Sequence, residues 1–301
     1  MESFVHEPVM LREVVEALRP RSGGVYADAT AGGGGHSQAI LEASAPEGRV
    51  VAVDRDPAAV AAARQRLAPY GERAVVVHGD YAELGPILRE QGAARVDGLV
   101  ADLGVSSAQL DGAERGFSFS IEGPLDMRMD RSHGPTLAEL LEGISERELA
   151  DILYQYGEER RSRAVARSIV RARDEQTLAT TLDLRRAVVR ALGPRRQGKI
   201  DPATRTFQSL RIALNRELEQ LELLLAALPE WLADGGVATI ISFHSLEDRL
   251  VKHAFRGEPR LEPLSKKPLI PSDEEQARNP RARSAKLRAA RRMARADEVQ
   301  A

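Results

Sequence analysis

The stretch Val25-Tyr-Ala-Asp-Ala-Thr-Ala-Gly-Gly-Gly-Gly-His-Ser37 constrains the fold more than any other part of the chain. A short apolar run, Val25 to Ala29, stops at four consecutive glycines, Gly32 to Gly35, and a helical pattern begins at Gln38. That order reads as strand, glycine-rich turn and helix, the opening of an α/β crossover. Glycine is needed where a tight turn requires positive φ and a ligand comes close to the backbone. A second apolar run, Arg49 to Asp54, ends in an acid about 20 residues further on, where nucleotide-binding folds place the carboxylate that accepts hydrogen bonds from ribose hydroxyls.

The dinucleotide fingerprint itself fails. G-x-G-x-x-G started at Gly32 requires Gly or Ala where Ser37 stands, and started at Gly33 it meets Gln38. Asp28 also closes the first strand. A diphosphate wants backbone N–H groups and a positive helix end, not an adjacent acid. An acid beside the loop suits a cation, and S-adenosyl-L-methionine carries an ammonium, a sulfonium and free ribose hydroxyls. The simplest alternative is a flexible glycine loop, against which Asp28 and Asp54 both weigh.

With 301 residues, 43% of them hydrophobic, the chain can form one large domain or two. It has no cysteine, which excludes disulfides, Cys-ligated zinc, iron–sulfur clusters and thiol catalysis. No basic-then-apolar leader and no long uncharged apolar run is visible, so a soluble cytoplasmic protein is expected. The net charge of −2 says little, but its distribution is uneven. Glu158 to Lys199 holds twelve Arg/Lys against five Asp/Glu, and Arg278 to Arg295 holds eight Arg/Lys and no acid. Such clusters suit a phosphate-binding surface.

Strands are expected at Val25–Ala29, Val50–Val53, Ala74–His78, Val96–Ala101 and Val237–Ser242, with helices between them: an α/β, doubly wound, mostly parallel sheet of the Rossmann-like kind. Its ligand should lie beyond the carboxyl ends of the strands, where Gly32–His36, Asp54, Tyr81 and Asp102 all fall. From Ser106 to Arg205 only helical patterns appear, which marks an inserted helical domain, 106–205, within a domain formed by 1–105 and 206–301. In one of its helices Arg163, Arg167 and Arg171 form a stripe, with Val165, Ile169 and Ala172 opposite. Leu210, Leu214, Leu218, Leu221, Leu225 and Leu228 read as the core face of one long helix. The tail after Gly257 reads as loop, with a basic helix at Ser284–Arg295.

With these segments placed, the chain resembles the ribosomal small-subunit methyltransferase H family, also called MraW. The resemblance rests on short motifs in order: His6-x-Pro8-Val9, Asp28-x-Thr30 with Gly34-Gly35-His36-Ser37, Asp54-Arg-Asp-Pro57, Asp102-Leu-Gly-Val-Ser-Ser107 and Glu114-Arg-Gly-Phe-Ser-Phe119. It continues through Pro124-Leu-Asp-Met-Arg-Met-Asp130, Tyr156-Gly-Glu-Glu-Arg160, Pro202-Ala-Thr-Arg-Thr-Phe-Gln208, Ser242-Phe-His-Ser-Leu-Glu-Asp-Arg249 and Asn279-Pro-Arg-Ala-Arg-Ser284. The resemblance implies the class I S-adenosyl-L-methionine-dependent methyltransferase fold, with methylation of N4 of a cytosine in the decoding region of 16S rRNA. It implies the small ribosomal subunit as partner and the inserted domain as the RNA-facing part. It also implies that Gly34, Gly35, His36, Asp54, Tyr81, Asp102 and Gln109 line the cofactor site. The family often has Phe where Tyr81 stands, and some relatives have His where Pro202 follows Asp201.

Cytosine N4 is a poor nucleophile because its lone pair is delocalised into the ring. An enzyme can hold it in line with the methyl, accept a hydrogen bond from N4–H, and stack the base outside the RNA helix. Asp102 is the candidate for the polar role, with binding of the cofactor's amine as its alternative. Phe117, Phe119 and Phe243 are candidates for stacking, each with core packing as the plainer explanation. His244 is a candidate proton carrier or hydrogen-bond partner. No spacing argues for a metal: His244 and His253 are nine residues apart, on opposite faces of a helix. A nicotinamide oxidoreductase, a methyltransferase acting on another nucleic acid, and a non-catalytic RNA-binding assembly factor are the competing readings. Monomer and homodimer are both compatible with the sequence.

Overall fold

Strands rich in Val and Ala, apolar on both faces, belong in a sheet covered on both sides. The computed structural model, which describes residues 8–194 and 200–294, has that arrangement. Five strands, β1 (Val25–Asp28), β2 (Arg49–Asp54), β3 (Ala74–His78), β4 (Val96–Asp102) and β5 (Leu232–Ser242), run parallel; β7 (Lys286–Arg292) pairs antiparallel with β5, and β6 (Leu261–Pro263) antiparallel with β7. The order is β3-β2-β1-β4-β5-β7-β6. The chain moves outward from β1 to β2 and β3, then returns to the other side of β1 with β4. That reversal opens the crevice in which doubly wound sheets bind ligands, flanked by the last residues of β1 and β4, Asp28 and Asp102.

The contacts divide the chain into two compact units, 1–104 with 218–301, and 105–217. In the first, side chains alternate between two core layers. Ala27, Val51, Val53, Leu99 and Ile240 point to one layer, and Tyr26, Val50, Ala52, Val100 and Ile241 to the other. Helices α1 (Leu11–Leu18), α2 (Gly35–Ala43) and α3 (Pro57–Leu67) contribute to the second layer, and α4 (Leu84–Glu90) to the first. Asp56 caps α3 by accepting the Ala58 amide at 3.0 Å, with Pro57 in the first turn.

The other unit is helical: α5 (Ser107–Asp111), α6 (Leu137–Gly143), α7 (Glu146–Gly157), α8 (Ser162–Asp174), α9 (Thr181–Leu192) and α10 (Ala203–Asn215). Reciprocal capping boxes, Thr136 with Glu139, Ser145 with Glu148 and Thr180 with Asp183, start three of them. Its core holds Leu137, Leu149, Leu153, Val165, Ile169, Leu184 and Leu210.

Two expectations are corrected. The leucine stripe is not one helix. After α10, Arg216 takes a left-handed φ of 51°, and α11 (Glu217–Trp231) starts afresh. The break is built by Asn215, which donates to the Met127 carbonyl at 2.9 Å and accepts the Met129 amide at 2.8 Å. Leu210 therefore packs in the helical unit, while Leu221, Leu225 and Leu228 pack in the sheet unit. The tail after Gly257 is not loop followed by a basic helix. After α12 (Ser245–Gly257) come β6, α13 (Asp273–Arg278) and β7, so Lys286–Arg292 extends the sheet. Arg and Ala favour helix intrinsically, but partners elsewhere in the sheet unit override that preference. Leu287, Ala289 and Ala290 enter the core layers, and the buried Arg288 and Arg292 pair with Asp248 and Asp234. His6, Arg195, Arg196, Lys199 and Arg295 lie outside the described residues. Among the described residues no helix is long and apolar enough to cross a membrane.

Candidate active site

Each parallel strand of the first unit delivers an acid or a turn to the same sheet edge. β1 ends at Asp28, which is buried. Its Oδ2 accepts from Ser37 Oγ at 2.6 Å, and its Oδ1 from the Thr30 amide at 3.2 Å. Burial pushes this carboxyl up to about 6, against the opposing pull of the Ser37 and Thr30 hydrogen bonds.

The glycines have different jobs. A Cβ on Gly35 would stand 2.2 Å from Pro8 Cγ, so this glycine lets the N-terminal segment lie against α2. Gly34 has φ 80°, and a Cβ there would meet Ala63 of α3 at 3.3 Å. Packing therefore explains both. Gly33 faces open space, and it is there that a ligand can reach the backbone.

Asp54 closes the turn from the side of β2. Its Oδ2 accepts the Gly32 amide at 2.8 Å and its Oδ1 the Asp56 amide at 2.9 Å. Burial takes it up to about 6, opposed by those two amides. Each carboxylate oxygen keeps a further lone pair for a ribose hydroxyl. Tyr81 follows β3 in a single 3₁₀ turn and is buried in the core layer that holds Ala29 and Val53.

Asp102 ends β4. Its amide donates to Thr30 Oγ1 at 2.6 Å, and its Oδ2 lies 4.0 Å from His36 Nδ1. Its Oδ1 is buried with no hydrogen-bond partner among the described residues. Burial, then the negative charges of Asp28, Glu247 and Glu275, raise this carboxyl well above the usual range. His36 is itself buried, with Nε2 3.0 Å from the Val9 carbonyl oxygen. A carbonyl only accepts, so Nε2 carries a proton and Nδ1 is the nitrogen turned to Asp102.

Glu247 and Glu275 were not singled out from sequence. Glu247 Oε2 accepts the Phe243 amide at 2.8 Å and the His244 amide at 3.3 Å. Glu275, on α13, accepts the Met10 amide at 2.7 Å and so ties the C-terminal segment to the N-terminal one. His244 stands at the N-cap of α12, where its Nδ1 accepts the Glu247 amide at 3.4 Å. Its Nε2 is 3.1 Å from Glu247 Oε1 but out of hydrogen-bonding line. Helix capping employs Nδ1 and leaves Nε2 buried without a hydrogen-bond partner among the described residues.

Gln109 belongs to the helical unit, where it completes the capping box of α5 with Ser106. Phe117 is buried in that unit's core, and Phe119 packs edge-to-face on Phe207 at 5.5 Å. Phe243, in the sheet unit, is half-buried. Arg163, Arg167 and Arg171 are exposed along α8, with Val165, Ile169 and Ala172 buried opposite. Among the described residues no group of three or more His, Asp or Glu side chains is placed to hold a metal ion.

The edge thus gathers Asp28, Asp54 and Asp102, with Glu247 and Glu275 close enough to act on Asp102, around an open glycine. Such a site draws cations and N–H donors. The MraW methylase family profile matches residues 3–293. The chain belongs to the MraW methylase family. It is 60% identical over 294 residues to the Ribosomal RNA small subunit methyltransferase H of Sorangium cellulosum, covering 98% of this chain and 93% of that one. It is 55% identical over 290 residues to the protein of that name from a Cyanothece species, covering 96% and 95%. The counterpart in Trichlorobacter lovleyi is 49% identical over 313 residues, covering 97% of this chain and 100% of its own. As a member of this family the chain is a methyltransferase on a Rossmann-like fold that uses S-adenosyl-L-methionine. The acids and the open Gly33 fit that cofactor in their chemistry: buried carboxyl groups at Asp28 and Asp102 suit a cation, and Asp54 keeps lone pairs that suit ribose hydroxyls.

Proposed function

We propose that this protein methylates the N4 amine of a cytosine in the decoding region of 16S rRNA within the small ribosomal subunit. The observation that carries the reading is Asp102, a buried carboxylate at the sheet's switch point with one oxygen lacking a donor. A buried acceptor left unpaired costs about 1–3 kcal/mol, which a ligand N–H can recover. The relatives' names and the exposed arginine stripe on α8 favour RNA as the substrate.

S-adenosyl-L-methionine supplies an electrophilic methyl group. The chain's own residues do the rest. Asp54 accepts hydrogen bonds from ribose hydroxyls while its amide contacts hold the glycine turn. Asp102 Oδ1 accepts a hydrogen bond from N4–H, which draws electron density back onto the nitrogen and favours the pyramidal, reactive form. The N4 proton becomes acidic once the new N–C bond forms. The carboxylate of Asp102, made more basic by burial and by Asp28, Glu247 and Glu275, takes that proton. Thr30 holds the tip of β4 in register for this transfer, and His36 stands behind it.

The test is transfer of labelled methyl from S-adenosyl-L-methionine to small ribosomal subunits that lack the modification. Label in 16S rRNA with the wild type and none with Asp102→Ala is the expected result. Cofactor binding with no labelled RNA would overturn the substrate.

A further inference from the structure

We propose that the groove between α12 and the β6–β7 edge of the sheet holds a backbone phosphate of the substrate RNA, away from the target base. This rests on the rRNA reading above and adds a contact surface on the sheet unit itself.

Asp248, Lys252 and Arg256 are spaced i, i+4, i+8 on α12 and share one face, while Val251 and Phe255 turn into the core. Lys252, Arg256, Ser265 and Arg288 line the groove, over Phe255 and Pro263. Arg288 reaches it from β7 and is only 9% exposed. Its Nε donates to Asp248 Oδ1 at 2.7 Å. Among the described residues the Nη side of its guanidinium has no protein hydrogen bond. Those nitrogens are open to solvent at the groove, and a phosphate matches such a fork with two parallel bonds.

The charges leave room for an anion. Asp248 is already offset by Arg288 and by Lys286, whose Nζ is 3.5 Å from Oδ2. Arg256 donates to the Lys266 carbonyl at 3.0 Å, an interaction that leaves its charge unneutralised. Lys252 has no ion pair among the described residues. Of the cations here, Arg288 and Lys286 meet the carboxylate of Asp248, while Lys252 and Arg256 add charge to the groove that no ion pair among the described residues offsets. Among the described residues the one aromatic lining the groove is the buried Phe255, so the groove suits a phosphate rather than a base. At 1.5 Å rise per residue, Lys252 and Arg256 lie roughly 12 and 18 Å along α12 from its His244 end at the acidic sheet edge. That places the phosphate a short run of nucleotides from the reacting amine.

The experiment compares wild type with the Lys252→Gln, Arg256→Gln double variant on unmodified small subunits, across a salt series. The KM for subunits should rise roughly five- to tenfold. The log–log salt slope should fall by about 0.7, the value for one single-strand phosphate no longer neutralised. The rise in Tm given by S-adenosylhomocysteine should match the wild type, separating weaker RNA binding from a damaged fold. Arg288→Lys, which keeps the charge and the reach to Asp248 but loses the fork, should fall between the two. If the wild type methylates subunits and the double variant shares its KM and salt slope, the groove is overturned alone. If the wild type methylates no small-subunit RNA, the parent reading fails and the groove's ligand falls with it.

Discussion

The Asp102 amide donates to Thr30 Oγ1 at 2.6 Å, so a hydroxyl from the turn after β1 holds the tip of β4. The same threonine's amide donates to Asp28. One short residue thus fixes the spacing of two carboxylates whose charges act on each other. Thr30→Val keeps the shape and deletes the hydroxyl. It should lower kcat/KM by about tenfold or more, since misplacing a reacting group is expensive, with a stability loss of about 1–3 kcal/mol from the orphaned amide. Thr30→Ser should restore most of both. Steady-state kinetics and urea denaturation of the two variants check this.

The glycine turn gives a prediction that separates packing from binding. Gly35→Ala drives a Cβ into Pro8 and should cost about 1–3 kcal/mol, as overpacking does. Gly33→Ala meets no protein atom within 4 Å and should leave the Tm almost unchanged. If the cofactor runs past Gly33, that variant should nonetheless bind S-adenosylhomocysteine at least tenfold more weakly, as read by calorimetric titration.

The buried acids set a pH dependence of unusual sign. Asp28 and Asp54 have folded values near 6, above their ordinary range, so the folded state binds protons more tightly than the unfolded chain. Their contribution to stability is complete below about pH 4 and is lost as pH rises through about 6. Asp102, raised by burial and by its acidic neighbours, acts in the same direction. Glu139 and Glu148, held low by hydrogen bonds from Thr136 and Ser145, act oppositely, losing their contribution as pH falls below about 4.3. The ligand-free protein should therefore melt higher at pH 5.5 than at pH 7.5. Asp28→Asn should raise the Tm at pH 7.5 and flatten the rise. A Tm that falls steadily from pH 7.5 to 5.5 would contradict the assignment.

The same acids explain how much of the site could be read from the chain. Asp28, Asp54 and Asp102 each end an apolar run, and a parallel sheet brings such ends to one edge whatever the loops do. Glu247 and Glu275 follow no such rule: one sits in the first turn of a helix and the other arrives from a segment far along the chain. His244 drew attention because it follows a buried strand, yet it caps α12. The leucine stripe was continuous in sequence because the helix break depends on Asn215 reaching Met127 and Met129, about 86 residues away, an interaction no local pattern carries. Lys286–Arg292 looked helical because its strand pairing and buried ion pairs come from β5 and from Asp234 and Asp248.

Arg292 offers a stability test of that last strand. It is 1% exposed and pairs with Asp234. Arg292→Ala removes the pair and leaves a cavity, and should cost about 3 kcal/mol or more. Arg292→Met fills most of the volume and should recover a large part of the loss. Equal stability of wild type and Arg292→Ala in guanidinium titration would mean that β7 is not held this way.

The central claim is that Asp102 serves methyl transfer to cytosine N4, and nucleoside mass spectrometry of 16S rRNA from treated, previously unmodified small subunits tests it most directly. The account predicts N4-methylcytidine with the wild type and its loss with Asp102→Ala, while S-adenosylhomocysteine still raises the variant's Tm. A methylated nucleoside other than N4-methylcytidine, or full activity in Asp102→Ala, would contradict it.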